Sequence, residues 1–421
     1  MSLKAVSSSA AIFSQDSSSP VAGHDVADNS WPLISIVMPV CNTGVYMVNA
    51  VKSIVAQSYP QLELLLVDDA SSDELTLKLL YAYERAGVLS RDNIASVTAN
   101  LGGPSLASNE DSIPEIKALH SALQQIGSDG ASATQVLVKV IRFKEDLGVG
   151  AMRNEGVKAA RGDYIVFADS DDLLAPQCVS RAYEAIKTSG AEVVCFASHN
   201  FSYDQHTNLG REAVKCTLPE NTLISCDQLI NAGDFVRVAD VAWGKIFARH
   251  IYLERNITFE PHVIFEDCDW VIRLLLNTNS IFYLPFDGYW RVLRPNSITS
   301  QETYTEKIRD SLLSFGRIIS AFEKSPYLTE VRPVLMKQAV ASCQKACERA
   351  NVQNNKRLCL DVFQGFVKLL AKLGLEVSTQ PSFAYDWWHH ILYKLPAKSE
   401  QARLEHFVKT RMARLYRRYC K

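Results

Sequence analysis

The stretch Tyr164-Ile-Val-Phe-Ala-Asp-Ser-Asp-Asp172 decides the fold, because an apolar run there ends in three carboxylates within four residues. Val, Ile and Phe favour a buried strand, whereas carboxylates are rarely buried unless they are paired or bound to a metal. Open α/β sheets bind ligands at the carboxyl ends of parallel strands. Asp169 and Asp171 at such an end offer hard oxygen ligands to Mg²⁺ or Mn²⁺, which would bridge to nucleotide phosphates. The alternative is a solvated turn, for which Asp and Ser are ordinary residues.

The chain around this stretch alternates between strand and helix patterns. These segments are strands at 33–40, 62–67, 135–141 and 164–167, and helices at 43–58, 73–84 and 149–160. Such alternation is typical of a parallel sheet with helices on both faces. The predicted fold class is therefore α/β, with a Rossmann-like, mostly parallel sheet flanked by helices.

The composition divides the chain into three regions. Residues 1–31 are rich in Ser, Ala and Asp without periodicity, which predicts a disordered tail. Residues 32–300 carry the α/β pattern, interrupted at about 88–134 by a Ser-, Asn- and Gly-rich insertion that is a lid, a binding segment or disorder. Residues 301–421 are predicted to form an α-helical C-terminal region, since their apolar stripes indicate helix packing.

Polar residues follow several of the predicted strands. Cys41-Asn42, Asp68-Asp69 and Asp169 to Asp171 would emerge at the same edge of a parallel sheet and face one crevice. An Asx-turn or a helix N-cap is the simpler interpretation of such residues, above all for Asp73. Convergence of three strand ends favours a binding site.

A glycine-containing segment, Gly148 to Gly156, precedes and enters a predicted helix. Glycines there would let backbone N–H groups approach a phosphate, and Arg153 would pair with a diphosphate or with the aspartate cluster. The chain has neither the G-x-G-x-x-G pattern after its first strand nor a P-loop. This counts against a dinucleotide dehydrogenase and against a P-loop enzyme.

Two later segments could contribute to a site. Phe265-Glu266-Asp267 opens a helix, where acids either stabilise the helix dipole or supply a general base. The segment from Tyr289 to Thr299 contains Arg291 and Ser297, which would clamp a diphosphate or belong to a solvated loop.

Bulk properties set limits on partners. A net charge of -2 over 421 residues gives no push toward nucleic acid. No apolar run approaches the ~18 residues of a membrane span, and no secretory signal is expected, so a cytoplasmic location is predicted. Residues 400–421 form a basic amphipathic pattern that either lies on the anionic inner face of the plasma membrane or packs on its own domain.

In chain order, a series of motifs resembles glycosyltransferase family 2, whose domain has the GT-A fold. The motifs are Ile34-Ser-Ile-Val-Met-Pro-Val-Cys-Asn42, Ser53-Ile-Val-Ala-Gln-Ser-Tyr-Pro60, Leu66-Val-Asp-Asp-Ala-Ser-Ser-Asp73, the residues Gly148 to Tyr164 around Arg153-Asn154, and Asp169-Ser-Asp-Asp172. The later motifs resemble the bacterial polysaccharide branch: Trp243-Gly-Lys-Ile-Phe247, Ile257-Thr-Phe259, Phe265-Glu-Asp267 and Tyr289-Trp-Arg291 with Asn296-Ser-Ile-Thr299.

The resemblance implies a metal-dependent, inverting transferase that moves a sugar from a nucleoside diphosphate sugar, a UDP-sugar above all, to a hydroxyl of a growing surface glycan or glycolipid. It implies Mn²⁺ or Mg²⁺ held by Asp169 and Asp171. Asp267 would be the catalytic base and Glu266 its catalytic neighbour. The nucleotide-sugar site would comprise Pro39, Asn42, Asp68, Asp69, Arg153, Asp169, Ser170, Arg291 and Ser297.

The sequence departs from the family pattern at a few positions, and other functions compete. Ala70, Asp146 and Met152 stand where Gly, Asn and Ala are usual, and the long insertion is atypical. A sugar nucleotidyltransferase, a phosphatase with a D-x-D motif and a catalytically inactive nucleotide-sugar-binding module are the alternatives. The first needs a basic Gly-rich loop after the first strand, the second an acidic pair there, and the third should have lost Asp171, Asp267 or Arg291.

Overall fold

The computed structural model describes residues 31–99, 135–202, 207–208, 218–238, 240–293, 304–352, 355–375 and 400–420. The predicted tail up to residue 30, most of the predicted insertion and Ser297 lie outside these ranges. The proposed division into three domains therefore stays a prediction.

Eleven strands of the described chain form one mixed sheet, with the spatial order β3-β4-β2-β1-β5-β10-β7-β11-β6, in which β8 pairs with β7 and β9 with β11. In chain order they are β1 (Ile34–Val40), β2 (Gln61–Asp69), β3 (Val88–Leu89), β4 (Gln135–Phe143), β5 (Tyr164–Phe167), β6 (Leu173–Leu174), β7 (Val193–Ser202), β8 (Thr207–Asn208), β9 (Leu223–Ser225), β10 (Lys245–Ala248) and β11 (Ser280–Leu293). Strands β4, β2, β1 and β5 are mutually parallel, and β7 and β11 run the same way beyond the antiparallel β10.

Twelve α-helices flank or follow the sheet in the described residues. They are α1 (Tyr46–Val55), α2 (Glu74–Ala86), α3 (Ile94–Thr98), α4 (Val149–Ala159), α5 (Cys178–Ser189), α6 (Cys226–Asn231), α7 (Arg249–Glu254), α8 (Glu266–Leu276), α9 (Tyr304–Glu323), α10 (Leu328–Val352), α11 (Lys356–Lys372) and α12 (Glu400–Leu415). A 3₁₀ turn, Asp234–Arg237, and a π turn, Tyr416–Cys420, complete the described helical structure.

The sheet separates two hydrophobic cores because side chains alternate between its faces. In β1, Ile36 and Met38 join the core covered by α1, α2 and α5, whereas Val37 joins the core covered by α4 and α8. Both faces are apolar, as a parallel sheet buried between helices requires. The predicted α/β fold class with a mostly parallel sheet is confirmed.

The C-terminal helices pack on the same core as α4 and α8. The predicted stripe in α9 is buried at Ile308, Phe315, Ile319 and Phe322. Asp269 of α8 forms an ion pair with Arg317 of α9, with 2.8 Å between Oδ1 and Nε. The helical region therefore supports the α/β sheet directly. None of the helices in the described chain has both the length and the apolar character that a transmembrane span requires.

Some element boundaries differ from the sequence-based expectation. Strand β2 continues through Asp68 and Asp69, which were expected to follow it, because both still pair with β4. Tyr289 to Leu293 belong to β11 and pair with β7, so this part of the predicted clamp is strand and not loop. Short elements β3 and α3 occupy the start of the predicted insertion.

Candidate active site

The polar strand ends meet at one edge of the sheet, as the parallel pattern predicts. Val40 at the end of β1 is in register with Asp68, and Val37 is in register with Phe167, just before the Asp169 loop. The hydroxyls of Thr43 and Ser170 lie 2.7 Å apart and join the two loops. The ends of β1, β2 and β5 thus build one surface.

Asn42 and Asp68 shape the loop that follows β2. The side-chain oxygen Oδ1 of Asn42 accepts hydrogen bonds from the N–H groups of Ser72 and Asp73, at 2.8 and 2.9 Å. Asp68 accepts one from Ser71 at 3.2 Å. Ala70 between them has a φ of 54°, in the left-handed region where glycine is favoured.

Asp73 is the N-cap of α2, and its carboxylate accepts the Thr76 N–H at 2.8 Å. The simpler interpretation of this residue as a helix cap is therefore confirmed.

Asp69 anchors the glycine-containing loop before α4. Its two carboxylate oxygens accept the N–H groups of Leu147 and Gly148, at 2.7 and 3.0 Å. Gly148 has a φ of 81°, and a Cβ there would lie 3.0 Å from the His262 nitrogen. Burial raises the pKa of Asp69, and the Asp146 carboxylate adds to the rise. The structure thus gives Asp69 a role in shaping the loop.

Arg153 of α4 lies buried at the centre of the site. Its Nη1 donates to Glu266 Oε1 at 2.5 Å and its Nη2 to Asp169 Oδ1 at 2.9 Å. The guanidinium also lies over the rings of Phe167 and Phe259, 5.8 and 5.4 Å from their centroids. Burial alone would lower the pKa of Arg153, but Asp169 and Glu266 outweigh it and raise the pKa. Of the two predicted partners of Arg153, the geometry shows the aspartate cluster.

The carboxylates after β5 have different environments. Asp172 is buried, and it accepts hydrogen bonds from the Tyr289 hydroxyl at 2.7 Å and the Val292 N–H at 2.8 Å. Burial raises the pKa of Asp172 well above its usual range, and Asp171 and Asp169 add to the rise. Asp172 therefore holds the loop against β11. Asp169, with 30% of its side chain exposed, and the half-buried Asp171 lie nearer to solvent.

Tyr289 reinforces this loop from β11. Its hydroxyl also accepts the Asp169 N–H at 3.1 Å, and its ring stacks on Trp243 with 4.4 Å between centroids. The loop that carries Asp169 and Asp171 is thus held by Tyr289 of β11, which Trp243 from the segment before β10 supports.

The arrangement of carboxylates fits a divalent cation that is completed by substrate and water. Among the described residues, no group of three or more His, Cys, Asp or Glu side chains is placed to hold a metal ion. Mg²⁺ is usually bound by one or two carboxylates together with substrate phosphates. Asp169 and Asp171 at the sheet edge remain the predicted ligands of such an ion.

The predicted acidic pair opens α8, as expected. Phe265 just before it has a φ of 66°, an uncommon backbone conformation for an aromatic residue. Glu266 is buried against Arg153, whereas Asp267 is half-buried. Burial, the adjacent Glu266 and the more distant Asp240 raise the pKa of Asp267 to about 8, against the lowering effect of Arg153. Such a carboxylate is a stronger base than a free aspartate.

Three of the predicted site residues contribute differently. Pro39 is buried inside β1, in register with Val67. Arg291 is half-buried in β11, next to the Val292 N–H that binds Asp172. Ser297 lies outside the described residues. The roles assigned to these residues remain predictions.

Other residues of the site carry no assigned role in the sequence analysis. The Asn154 side chain accepts the Phe259 N–H at 2.8 Å and donates to the Phe259 carbonyl at 2.9 Å, which fixes the segment before α8. Because Asn154 directly follows Arg153 in the sequence, it could have been recognised as a candidate residue of the site. Asp240, which contacts Cys268, gave none, because it lies in an irregular segment far from α8 in sequence.

Comparisons with known proteins agree with this fold. The family model described as glycosyl transferase family 2 matches residues 35–95 and 120–247. A cholesterol galactosyltransferase of Borreliella burgdorferi is 24% identical over 40% of this chain and 48% of its own length. The uncharacterized glycosyltransferase EpsJ of Bacillus subtilis is 23% identical over 64% of this chain and 63% of its own. The matches thus span less than two thirds of either relative.

The fold has a counterpart among solved structures. The crystal structure of S. aureus TarS 1-349 in complex with UDP-GlcNAc has a TM-score of 0.53 and 15% identity, and it covers 92% of this chain and 90% of that chain. The fold is of the GT-A type, and the family match together with the named relatives identifies a transferase enzyme. The matching family model and these relatives support a glycosyltransferase of family 2. The nucleotidyltransferase and phosphatase alternatives are not supported.

Proposed function

We propose that the protein transfers a sugar from a UDP-sugar to a hydroxyl group of a growing surface glycan or glycolipid. The observation that carries the proposal is the buried contact of Arg153 with both Asp169 and Glu266. It joins the strand-end carboxylates, which suit a nucleotide diphosphate, to the helix that carries Asp267. A donor half and an acceptor half are thereby held together in one site.

The donor half lies at the carboxyl edge of the sheet. Asn42 lines it after β1, Asp68 lines it at the end of β2, and Asp169 and Ser170 line it after β5. The side chain of Arg291 would neutralise the diphosphate, and that of Ser297 would bind it. A UDP-sugar is the donor we propose, since TarS carries UDP-GlcNAc on a similar fold.

Asp169 and Asp171 would hold Mg²⁺ or Mn²⁺ in this half. When bound, the ion would offset the negative charge of the diphosphate leaving group. Arg153 holds Asp169 in place from the buried side, and Tyr289 holds its backbone.

The acceptor half begins at α8. In the proposed reaction the Asp267 carboxylate takes the proton of the acceptor hydroxyl while the hydroxyl oxygen forms a bond to C1 of the sugar. The bond from C1 to the diphosphate breaks in the same step, which inverts C1 and releases the nucleoside diphosphate. Glu266, fixed by Arg153, would keep the first turn of α8 in position. A lipid-linked acceptor is supported by the relative named for cholesterol.

The C-terminal helix suggests how the enzyme would reach such an acceptor. Val408, Met412 and Leu415 of α12 are buried in the core, so its apolar face packs on its own domain. Arg411 and Arg418 remain exposed. We therefore propose that a cytoplasmic enzyme approaches the anionic inner membrane face through this basic surface, without inserting apolar side chains.

A donor screen tests the proposed function. Nucleoside diphosphate release is measured over a panel of nucleotide sugars, with and without a bacterial lipid-linked glycan fraction as acceptor. The proposal expects UDP release from a UDP-sugar that rises when the acceptor is present. Tight binding of a UDP-sugar without any release or transfer would instead identify an inactive binding module.

A further inference from the structure

The thiol of Cys268 connects the proposed base to a carboxylate from another part of the chain. Cys268 Sγ lies 3.7 Å from Asp267 Oδ1 and 3.7 Å from Asp240 Oδ2. Asp240 is exposed and lies in the irregular segment before β10. The contact joins α8, which carries the proposed base Asp267, to the segment before β10, which has no role in the proposed reaction so far.

The charged groups around Asp267 are not equivalent. On α8 itself it has Glu266 and Cys268, α4 presents Arg153, and the segment before β10 presents Asp240. The negative charge of Glu266 is largely offset because Arg153 forms a buried ion pair with it. Asp240 supplies a second negative charge, with its Oδ2 3.7 Å from the thiol sulfur.

The thiol is suited to remain a hydrogen-bond donor between the two carboxylates. Burial raises the pKa of Cys268 well above its usual range, and Asp267 and Asp240 add to the rise. A protonated thiol is a weak donor with one hydrogen. It donates to only one of the two carboxylates at a time, and donation to Asp267 Oδ1 orients that carboxylate.

We propose that two neighbours act on Asp267: Cys268 positions its carboxylate through the thiol hydrogen, and Asp240 acts on it through its negative charge. The inference rests on the proposed role of Asp267 as the base. The Cys268 thiol fixes Oδ1 of Asp267, and Oδ2 then takes the acceptor proton. The negative charge of Asp240 disfavours a second negative charge on Asp267, so it makes Asp267 a stronger base. As a consequence, Asp267 is ionised only at higher pH.

The test is the pH dependence of kcat/KM for UDP-sugar transfer between about pH 5 and 9, in the full chain. Asp240→Asn removes the charge and keeps the shape. It should move the acid limb to lower pH by on the order of one unit, because loss of a like charge lowers the pKa of the base. The maximal rate should fall several-fold, since a weaker base takes the proton less readily. Asp240→Glu, which keeps the negative charge, should show the same acid limb as the wild type.

The thiol is tested separately. Cys268→Ala should lower kcat several-fold and leave KM for the donor unchanged, and Cys268→Ser, which keeps a donor hydrogen, should restore most of kcat. Asp163→Asn is the matched control, because Asp163 is exposed and precedes β5 at the opposite edge of the sheet. It should leave the profile unchanged.

The outcomes separate the inference from the proposed function. If Asp267→Asn abolishes transfer but Asp240→Asn leaves the acid limb in place, Asp240 does not act on Asp267. If Asp267→Asn itself transfers at near wild-type rate, the proposed base is wrong, and the inference falls with it. Thermal unfolding and donor affinity, both expected to be unchanged in the Asp240 variants, show that the fold is intact.

Discussion

Arg153 and Glu266 form a buried ion pair in which only 4% and 7% of the two side chains are exposed, and this pair fixes helix α8 to helix α4. The same guanidinium binds Asp169, so the position of the first turn of α8 depends on the loop after β5. The proposed base and the proposed metal ligands are therefore mechanically connected through one side chain.

Replacing Arg153 should destabilise the fold strongly. Arg153→Met leaves Glu266 and part of Asp169 without their cation, and removal of one partner of a buried pair costs about 3–5 kcal/mol. The free energy of unfolding from denaturant titration measures this. The double variant Arg153→Met with Glu266→Gln should recover part of the loss, because it removes the buried charge. A loss below about 1 kcal/mol in the single variant would show that the pair is not structurally important.

Ala70→Gly should stabilise the protein. Ala70 has a φ of 54°, which is strained for a residue with a Cβ, whereas glycine adopts it freely. The gain should be about 0.5–1 kcal/mol after the entropy of the unfolded glycine is included. Ala82→Gly in the interior of α2 is the control and should instead destabilise by about 1 kcal/mol. A shift of the same sign in both variants would contradict the argument.

Transfer should depend on a divalent cation. Excess EDTA is expected to abolish sugar transfer, and Mn²⁺ or Mg²⁺ should restore it, because the carboxylates of Asp169 and Asp171 repel a diphosphate unless a cation lies between them. Asp171→Asn should remove nearly all activity. Its unfolding temperature should change little, since the half-buried Asp171 lies beside the structural Asp172 and does not replace it. Full activity in excess EDTA would exclude the metal.

The basic surface of the C-terminal helix should bind anionic membranes by charge alone. Arg411→Glu with Arg418→Glu should reduce sedimentation with vesicles rich in anionic lipid by at least tenfold at low salt, and salt should weaken wild-type binding. The control exchanges Lys187 and Arg255, which are exposed on other elements, for Glu. Equal sedimentation of the two double variants would contradict the proposal that this surface binds the membrane.

Local patterns predicted those parts of the site that depend on the backbone. Parallel strands with polar ends predicted that Asn42, Asp68 and Asp169 lie at one edge, and the register confirms it. The pattern Glu266-Asp267 followed by apolar residues predicted the start of α8, and Trp270 and Leu274 are buried as expected. These features follow from periodicity and from strand direction, which are local or nearly local.

Contacts between distant side chains could not be predicted in this way. The anchoring of Leu147 and Gly148 by Asp69, and the contact of Asp240 with Cys268, depend on how separate loops pack. The pairing of Tyr289 with Ser198 in β7 could not be predicted either, because the two residues are remote in sequence. Likewise, the burial of Asp269 between Arg273 and Arg317 depends on how α8 packs against α9.

The transfer rate of Asp267→Asn tests the central claim most directly. The substitution keeps the shape of the side chain and removes its basicity. The account predicts that UDP-sugar affinity, measured by calorimetry, stays nearly unchanged while transfer falls by roughly 10²–10⁴-fold. In the wild type, transfer should rise as the pH rises through about 8, because Asp267 must lose its proton to act as a base. Transfer by Asp267→Asn at near the wild-type rate would contradict the account and leave Glu266 as the next candidate.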